Sequence, residues 1–147
     1  MTPVLVLCLG KTVRSGFAEV PPHKQKAQLS HCSFTQACGG DLAEVLRESQ
    51  TLIELDLAWN EIEDKGVELL CEGLKHPDCK LEILELHGCG KTPAACENLC
   101  AALTTNQSLT RLHVSCDVLG ASGKDQFRNA LTCRSANTIF SVQYIFQ

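Results

Sequence analysis

One pattern of apolar residues recurs along this chain at a nearly constant interval, and this recurrence restricts the fold more than any other feature. The pattern is L-x-x-L-x-[LV]-x-x-[NCD], and it begins at Leu52, Leu81 and Leu109. Upstream, a leucine followed three residues later by Cys32 matches the end of the same pattern. The third apolar positions of the four copies are 28, 29 and 28 residues apart: Leu29, Leu57, Leu86 and Val114. The chain is therefore built from repeats.

Each repeat combines a strand with a helix. In Leu55-Asp56-Leu57, apolar and polar residues alternate, which is typical of a half-buried strand. Apolar residues then follow at i, i+3, i+4 and i+7, the spacing of one helical stripe. This stripe occurs twice in clear form: Val67, Leu70, Cys71 and Leu74, then Cys96, Leu99, Cys100 and Leu103. A strand and a helix of this length cannot bury their own apolar faces, so neighbouring repeats must stack.

The expected fold is an α/β leucine-rich repeat solenoid, a short arc with parallel strands on its concave face and helices on its convex face. We expect an irregular segment at 1–22, repeats over 23–133 and a partial repeat strand at 134–147. The repeats are clear from Leu52 to Leu131, and a further one between Leu29 and Leu46 has a degraded strand. The partial strand is indicated by the spacing of three residues: Ile139, Val142 and Tyr144.

The turn that leaves each strand has a recognisable residue. At this position Asn or Asp can hydrogen-bond backbone groups that the turn leaves unpaired, and Cys fills it as a small apolar residue. The four turn positions are the last residues of the pattern: Cys32, Asn60, Cys89 and Asp117.

Helix starts are also predicted. Thr92 is a suitable N-cap with Pro93 at the first helical position, and Asp64 can cap the preceding helix. The segment Ser122-Gly123-Lys124-Asp125 has capping-box spacing ahead of Phe127 and Leu131. The helix from about Gln36 to Glu48 is weaker, because Gly39 and Gly40 lower its propensity.

Composition excludes several functions. A net charge of -4, with one Trp and one Tyr, gives neither a basic field nor stacking platforms, so we expect no nucleic acid partner. No run of about 20 apolar residues occurs, so we expect no membrane span. The short apolar run Val4-Leu5-Val6-Leu7-Cys8-Leu9 lacks a charged flank and reads as a buried strand or cap rather than a signal peptide. The ten cysteines include no CxxC pair, and we interpret them as reduced packing residues.

No complete catalytic or cofactor motif is present. Gly88-Cys89-Gly90-Lys91-Thr92 ends like a phosphate-binding loop, but Glu85 stands where the first glycine is required. Leu9-Gly10-Lys11-Thr12 has Leu5 at that position. The five histidines are scattered, so no Ser-His-Asp or Cys-His pairing can be derived. We therefore expect no enzyme activity, no cofactor and no metal. Asn106-Gln107-Ser108 is a glycosylation sequon that we expect to be unused.

The candidate functional surface is the concave sheet face. Strand alternation directs one set of side chains there, and Trp59 is the candidate anchor because Trp is enriched at binding hot spots. The acidic residues among them favour a basic patch on a protein partner. Ala58 and Ser115 are expected to face the same way. The candidate partner-binding residues are these: Glu54, Asp56, Trp59, Ile83, Glu85, His87, Arg111 and His113.

These repeats resemble one family closely. Alternating 28- and 29-residue units are similar to ribonuclease-inhibitor-type repeats. The segment from Leu55 to Val67 resembles the L-D-L-x-x-N-x-[IL]-x-D-x-G-V segment of the NACHT, LRR and PYD domain-containing (NLRP) family, and that from Leu70 to Leu81 resembles its L-C-x-G-L-x-x-P-x-C-x-L linker. The resemblance covers roughly residues 23–131. It departs at Lys91, which stands where other repeats have an apolar residue.

The resemblance implies a cytoplasmic protein-interaction module of innate-immune, inflammatory signalling. Some members of the family have roles in oocytes and early embryos instead, and a role of that kind is an alternative. The chain has no room for a pyrin or NACHT domain, so a truncated isoform or fragment with a regulatory role, or with no independent function, is another alternative. Solenoid ends normally need polar caps, so the ends of these repeats could drive self-association.

Overall fold

The computed structural model describes residues 25–89, 94–132 and 141–145; for 116–120 and 141–145 only the backbone is described. Several predicted features lie outside these residues. They are the helix cap at Thr92-Pro93, the departure from the family pattern at Lys91, the lysines of both Gly-Lys-Thr segments, and the N-terminal apolar run. Ile139 lies outside them too.

Strands and helices alternate along the chain, as the repeat predicts. The elements are β1 (Gln25–Gln28), a 3-10 turn (Gln36–Cys38) continuing into α1 (Gly39–Glu48), β2 (Leu52–Asp56), α2 (Glu63–Leu74), β3 (Ile83–Glu85), α3 (Ala94–Thr105), β4 (Arg111–Ser115), α4 (Cys116–Thr132) and β5 (Ser141–Ile145).

The five strands form one parallel sheet in chain order, β1-β2-β3-β4-β5. Each strand therefore pairs with that of the next repeat, and each helix returns the chain to start a neighbouring strand. The fold is the predicted leucine-rich repeat solenoid, and the strand predicted near Val142 pairs with the whole of β4.

The core lies between the sheet and the helices. The anchors Leu29, Leu57, Leu86 and Val114 are fully buried, so the periodic leucines form a continuous ladder through the stack. Both helical stripes face this ladder, and Cys100 alone among their members keeps partial exposure. Since no single repeat could bury these residues, the stack depends on contacts between repeats.

The helices approach each other closely at a glycine. A Cβ on Gly73 of α2 would lie 2.7 Å from both the Cα and the carbonyl oxygen of Ala43 in α1. Any larger residue would push two backbones apart. This contact sets the spacing of the first two helices and therefore of the strands that they follow.

The turn after β2 is held by Asn60, as predicted. Its Oδ1 accepts from the backbone N–H groups of Cys32 and Phe34 at 3.0 and 3.1 Å. Its Nδ2 donates to the carbonyls of Leu29 and Leu57 at 2.8 and 2.9 Å. One side chain thus joins two consecutive turns.

The equivalent position one repeat later is filled by Cys89, whose Sγ donates to the Leu57 carbonyl at 3.1 Å. Cys89 is 1% exposed. The prediction that Cys can replace Asn at this turn is therefore confirmed, because the thiol, like the amide, donates to the carbonyl of Leu57.

Three local predictions are wrong. Asp64 lies inside the first turn of α2, because the helix begins at Glu63 and its N-cap is Ile62, which makes no side-chain capping bond. Asp117 is not in a turn and Ser122 does not cap a helix, because α4 begins at Cys116 directly after β4. Without a loop between these elements, both residues fall within the helix.

Candidate protein-binding face

Two rows of side chains cross the sheet on the face opposite the helices. Strand register aligns Lys26, Glu54, Ile83 and Arg111 in the first row. It aligns Gln28, Asp56, Glu85 and His113 in the second row. The intervening residues Leu55, Leu84 and Leu112 point into the core and are buried. We call the two rows, with the rim residues His31, Trp59 and His87, the concave face.

The structure brings all eight candidate residues to this face. Trp59 and Arg111 are exposed, and the other six are half-buried. Two neighbours that we expected there are buried: Ala58 is 2% and Ser115 1% exposed. Ser115 is drawn into the adjacent turn because its Oγ accepts from the Gly88 N–H at 2.8 Å. Ala58 is fixed similarly, since its N–H donates to Asp56 Oδ1 at 3.0 Å and its carbonyl accepts from the His31 N–H.

Charge is arranged with acids on two neighbouring strands, β2 and β3, and bases on the strands to either side of them, β1 and β4. Glu54 and Asp56 lie on β2 and Glu85 on β3, whereas Lys26 lies on β1 and Arg111 on β4. The Nζ of Lys26 is 3.2 Å from Glu54 Oε2. The centre of the face is therefore acidic and its flanks are basic.

Two half-buried groups at the centre have shifted pKa values. Burial raises the pKa of Glu85, and the neighbouring Asp56 carboxylate raises it further. Burial also lowers the pKa of His113, and the Arg111 guanidinium adds to that effect. His113 Nδ1 lies 3.3 Å from Glu85 Oε1. Because its lowered pKa favours the neutral imidazole at neutral pH, His113 brings no full positive charge to compensate the acid.

The raised pKa predicts a pH-dependent effect of Glu85→Gln. A glutamate whose folded pKa is raised contributes stability at low pH, and that contribution is lost as pH rises through the raised pKa. The variant should therefore melt about 2 °C above the parent chain at pH 7, a modest gain because solvent screens the site. The gain should vanish near pH 4. Thermal unfolding followed by circular dichroism measures this.

The matched control for that measurement is Glu61→Gln. Glu61 is exposed, so its replacement should leave the melting temperature unchanged at either pH. An equal or lower melting temperature for Glu85→Gln at pH 7 would contradict the assigned environment.

Trp59 stands at the rim, where the second row meets the turns. It is 46% exposed, and the only exposed large hydrophobic residue among those the structure describes. The ring stacks on His31 with centroids 5.9 Å apart and 12° between planes. The ring of His87 meets it at 5.9 Å and 88°. Trp59 thus links the rims of three repeats.

Three residues of the face were missed from the sequence: Lys26, Gln28 and His31. The signal was present, because Lys26 precedes Glu54 by one repeat of 28 residues. Because the strand before Leu29 lacks the leucines of the pattern, the sequence did not indicate which of its residues point outward.

Other candidate chemistry lies away from this face. Seven cysteines have described side chains, and none of them is joined in a disulfide: Cys32, Cys38, Cys71, Cys79, Cys89, Cys96 and Cys100. Burial raises the pKa of Cys71 to about 12 and that of Cys100 to about 11, so both stay protonated thiols. Within the described part of the chain, no three His, Cys, Asp or Glu side chains are grouped to hold a metal.

The glycosylation sequon is built into the fold. Asn106 is 4% exposed. Its Nδ2 donates to the Leu74 carbonyl at 2.8 Å, and its Oδ1 accepts from the Leu109 N–H at 2.7 Å. The amide nitrogen that would carry a glycan therefore ties the loop after α3 to the end of α2.

Comparison with known proteins agrees with this architecture. A family model described as Leucine Rich repeat matches residues 48–71. A solved structure titled Leiomodin-1 Actin-Binding Site 2 superposes with a TM-score of 0.73 over 99% of this chain and 78% of its own length. At 17% identity, that likeness shows the fold alone. The class is therefore a leucine-rich repeat protein.

The sequence comparison is more specific. NACHT, LRR and PYD domains-containing protein 3 of Macaca mulatta is 43% identical over 76% of this chain and 11% of its own length. NACHT, LRR and PYD domains-containing protein 14 of Homo sapiens is 44% identical over 73% of this chain and 10% of its own length. Protein 12 of the same name from Mus musculus is 46% identical over 67% of this chain and 9% of its own length. The chain belongs to the leucine-rich repeat region of this family. It spans about a tenth of the length of these relatives.

None of the helices within the described ranges combines the length and the apolar character needed to cross a lipid bilayer.

Proposed function

We propose that this chain is a cytoplasmic protein-interaction module that acts by binding, not catalysis, and that its concave face receives the partner. The observation that carries the proposal is the concave face itself: two register-aligned rows of mostly polar, exposed or half-buried side chains, with an exposed tryptophan at their rim. Such a mixture of charged and aromatic groups on an open sheet is what interfaces use. The family supports a regulatory role in innate-immune, inflammatory signalling.

The partner that fits this face carries a basic segment. Asp56 and Glu85 face each other across β2 and β3, and the Asp56 carboxylate adds to the effect of burial in raising the pKa of Glu85. A lysine or arginine placed there would relieve the repulsion. Lys26 and Arg111 at the flanks would repel a segment that is basic along its whole length. The partner should therefore place one or two cations at the centre.

Selection of peptides on the immobilised chain tests this proposal. A phage-displayed library of random peptides should enrich sequences that contain a central Lys or Arg. A synthetic copy of a selected peptide should then lose about tenfold in affinity for Glu85→Gln, because one charge-assisted contact is removed. Calorimetric titration measures the loss.

The control is Glu72→Gln on the outward side of α2, where Glu72 is exposed and pairs with Lys75. Its affinity for the peptide should be unchanged. Enrichment of acidic peptides, or equal losses for both variants, would refute the proposed face.

Self-association is a second candidate, and the sheet topology favours it. β1 and β5 are the outermost strands of the described sheet. If their outer edges pair between copies, the chain acts as a regulatory fragment that assembles rather than as a receptor for a basic segment. Light scattering across a range of concentrations should then show a mass that rises with concentration. A constant monomer mass would exclude it.

A further inference from the structure

The rim of the concave face is built from a repeated backbone conformation. His31, Trp59 and Gly88 each precede the turn residue of their repeat, and their φ angles are 56°, 60° and 67°. These values lie in the left-handed region, which glycine adopts freely and a bulky side chain adopts under strain. Trp59 is therefore held in a conformation that its own backbone does not favour, and neighbouring contacts must maintain it.

Those contacts come from the repeats on either side. His31, from the preceding repeat, stacks on the indole, and Gly88 comes from the following repeat and lies against the ring. The two repeats lie on opposite sides of the one that carries Trp59, so the two contacts are assigned to opposite faces of the indole. A Cβ built on Gly88 would lie 2.5 Å from Trp59 Cε3, 2.8 Å from Cδ2 and 2.9 Å from Cζ3. These distances put that atom above the ring, over Cε3. Only a glycine leaves room for the indole here.

We propose, on the basis of the proposed function, that Trp59 is a preformed edge-on anchor and that His31 and Gly88 are its positioning residues. With both faces occupied, the exposed part of the indole is its edge. A cation of the partner then goes to Asp56 and Glu85 rather than onto the ring. The partner segment fits best if an apolar side chain, packed against the indole edge, lies next to its basic residue.

Tryptophan fluorescence tests the positioning without any partner, because Trp59 is the only tryptophan of the chain. Gly88→Ala should expel the ring, which shifts its emission to longer wavelength and makes acrylamide quench it more strongly. His31→Ala should increase quenching by uncovering the other face. Gly40→Ala is the control, since nothing lies within 4 Å of a Cβ there, and its emission should match that of the parent chain. An unchanged emission for both rim variants would overturn the positioning.

Binding of the selected basic peptide tests the anchor itself. Gly88→Ala should weaken binding about as much as Trp59→Ala does, near 30-fold for a hot-spot residue. The double variant should lose little more, because both changes remove the same contact. Far-ultraviolet circular dichroism would confirm that the variants are folded. If Gly88→Ala does not fold, His31→Ala takes its place as the variant that disturbs the position of the indole.

Incorporation of fluorinated tryptophan separates edge contact from cation stacking. Fluorination weakens the negative ring face on which a cation would sit, so an edge-on anchor should keep its affinity for the peptide. A progressive loss with added fluorine would overturn the edge-on arrangement while leaving the concave face intact. If no peptide is enriched at all, the proposed function fails, whereas the fluorescence result still decides the positioning.

Discussion

Replacing Asn60 with alanine should destabilise the repeat stack by about 3 kcal/mol, since each buried polar group left without a partner costs about 1–3 kcal/mol and such costs overlap. Asn60 is 3% exposed. Its loss would leave the N–H groups of Cys32 and Phe34, and the carbonyls of Leu29 and Leu57, without this partner. Water cannot replace the amide without opening the turn.

Urea unfolding monitored by circular dichroism measures this loss. Gln107→Ala is the control, because Gln107 is exposed in the loop after α3, and its stability should change by less than about 0.5 kcal/mol. Asn60→Cys should fall between the two, since Cys89 at the equivalent turn still donates to the carbonyls of Leu57 and His87. A loss below about 1 kcal/mol for Asn60→Ala would mean that the turns are held by the leucine ladder alone.

The second large effect concerns binding. Trp59→Ala should reduce affinity for a peptide selected on the parent chain about 30-fold, the usual cost of truncating an aromatic hot-spot residue. Stability should change little by comparison, because the ring is 46% exposed. Calorimetric titration gives the affinity and a thermal melt gives the stability.

Trp59→Phe is the informative companion variant. A smaller ring still fits between His31 and Gly88 but reaches less far, so its affinity should lie between those of the parent chain and of Trp59→Ala. If Trp59→Ala binds as tightly as the parent chain, the tryptophan is merely an exposed ring and the anchor lies elsewhere on the face.

The fold was predictable from sequence because its determinants are periodic. The spacing of Leu57, Leu86 and Val114 sets the repeat length, and the alternation around Leu55 decides which neighbours point outward. The spacing and the alternation can both be read directly from the sequence, because they recur in every repeat. The same reasoning placed Glu85 and His113 on one face before any register was known.

What could not be predicted depends on contacts between repeats. Ser115 alternates as an outward residue, yet it is buried because it bonds to Gly88 of the preceding repeat. Capping by Ser122 fails because α4 starts without a loop, and no local signal marks that start. The covering of Trp59 by Gly88 is equally non-local, since a glycine 29 residues away determines how the indole is presented.

The central claim is that partners bind the concave face, and site-directed photocross-linking tests it most directly. A photoreactive benzoylphenylalanine is placed at His113 on the concave face or at Glu72 on the outward side of α2, and each chain is irradiated with the selected basic peptide. If the partner binds the concave face, position 113 should form cross-links to the peptide and position 72 should form none. Cross-links from position 72 alone, or equally from both, would contradict it.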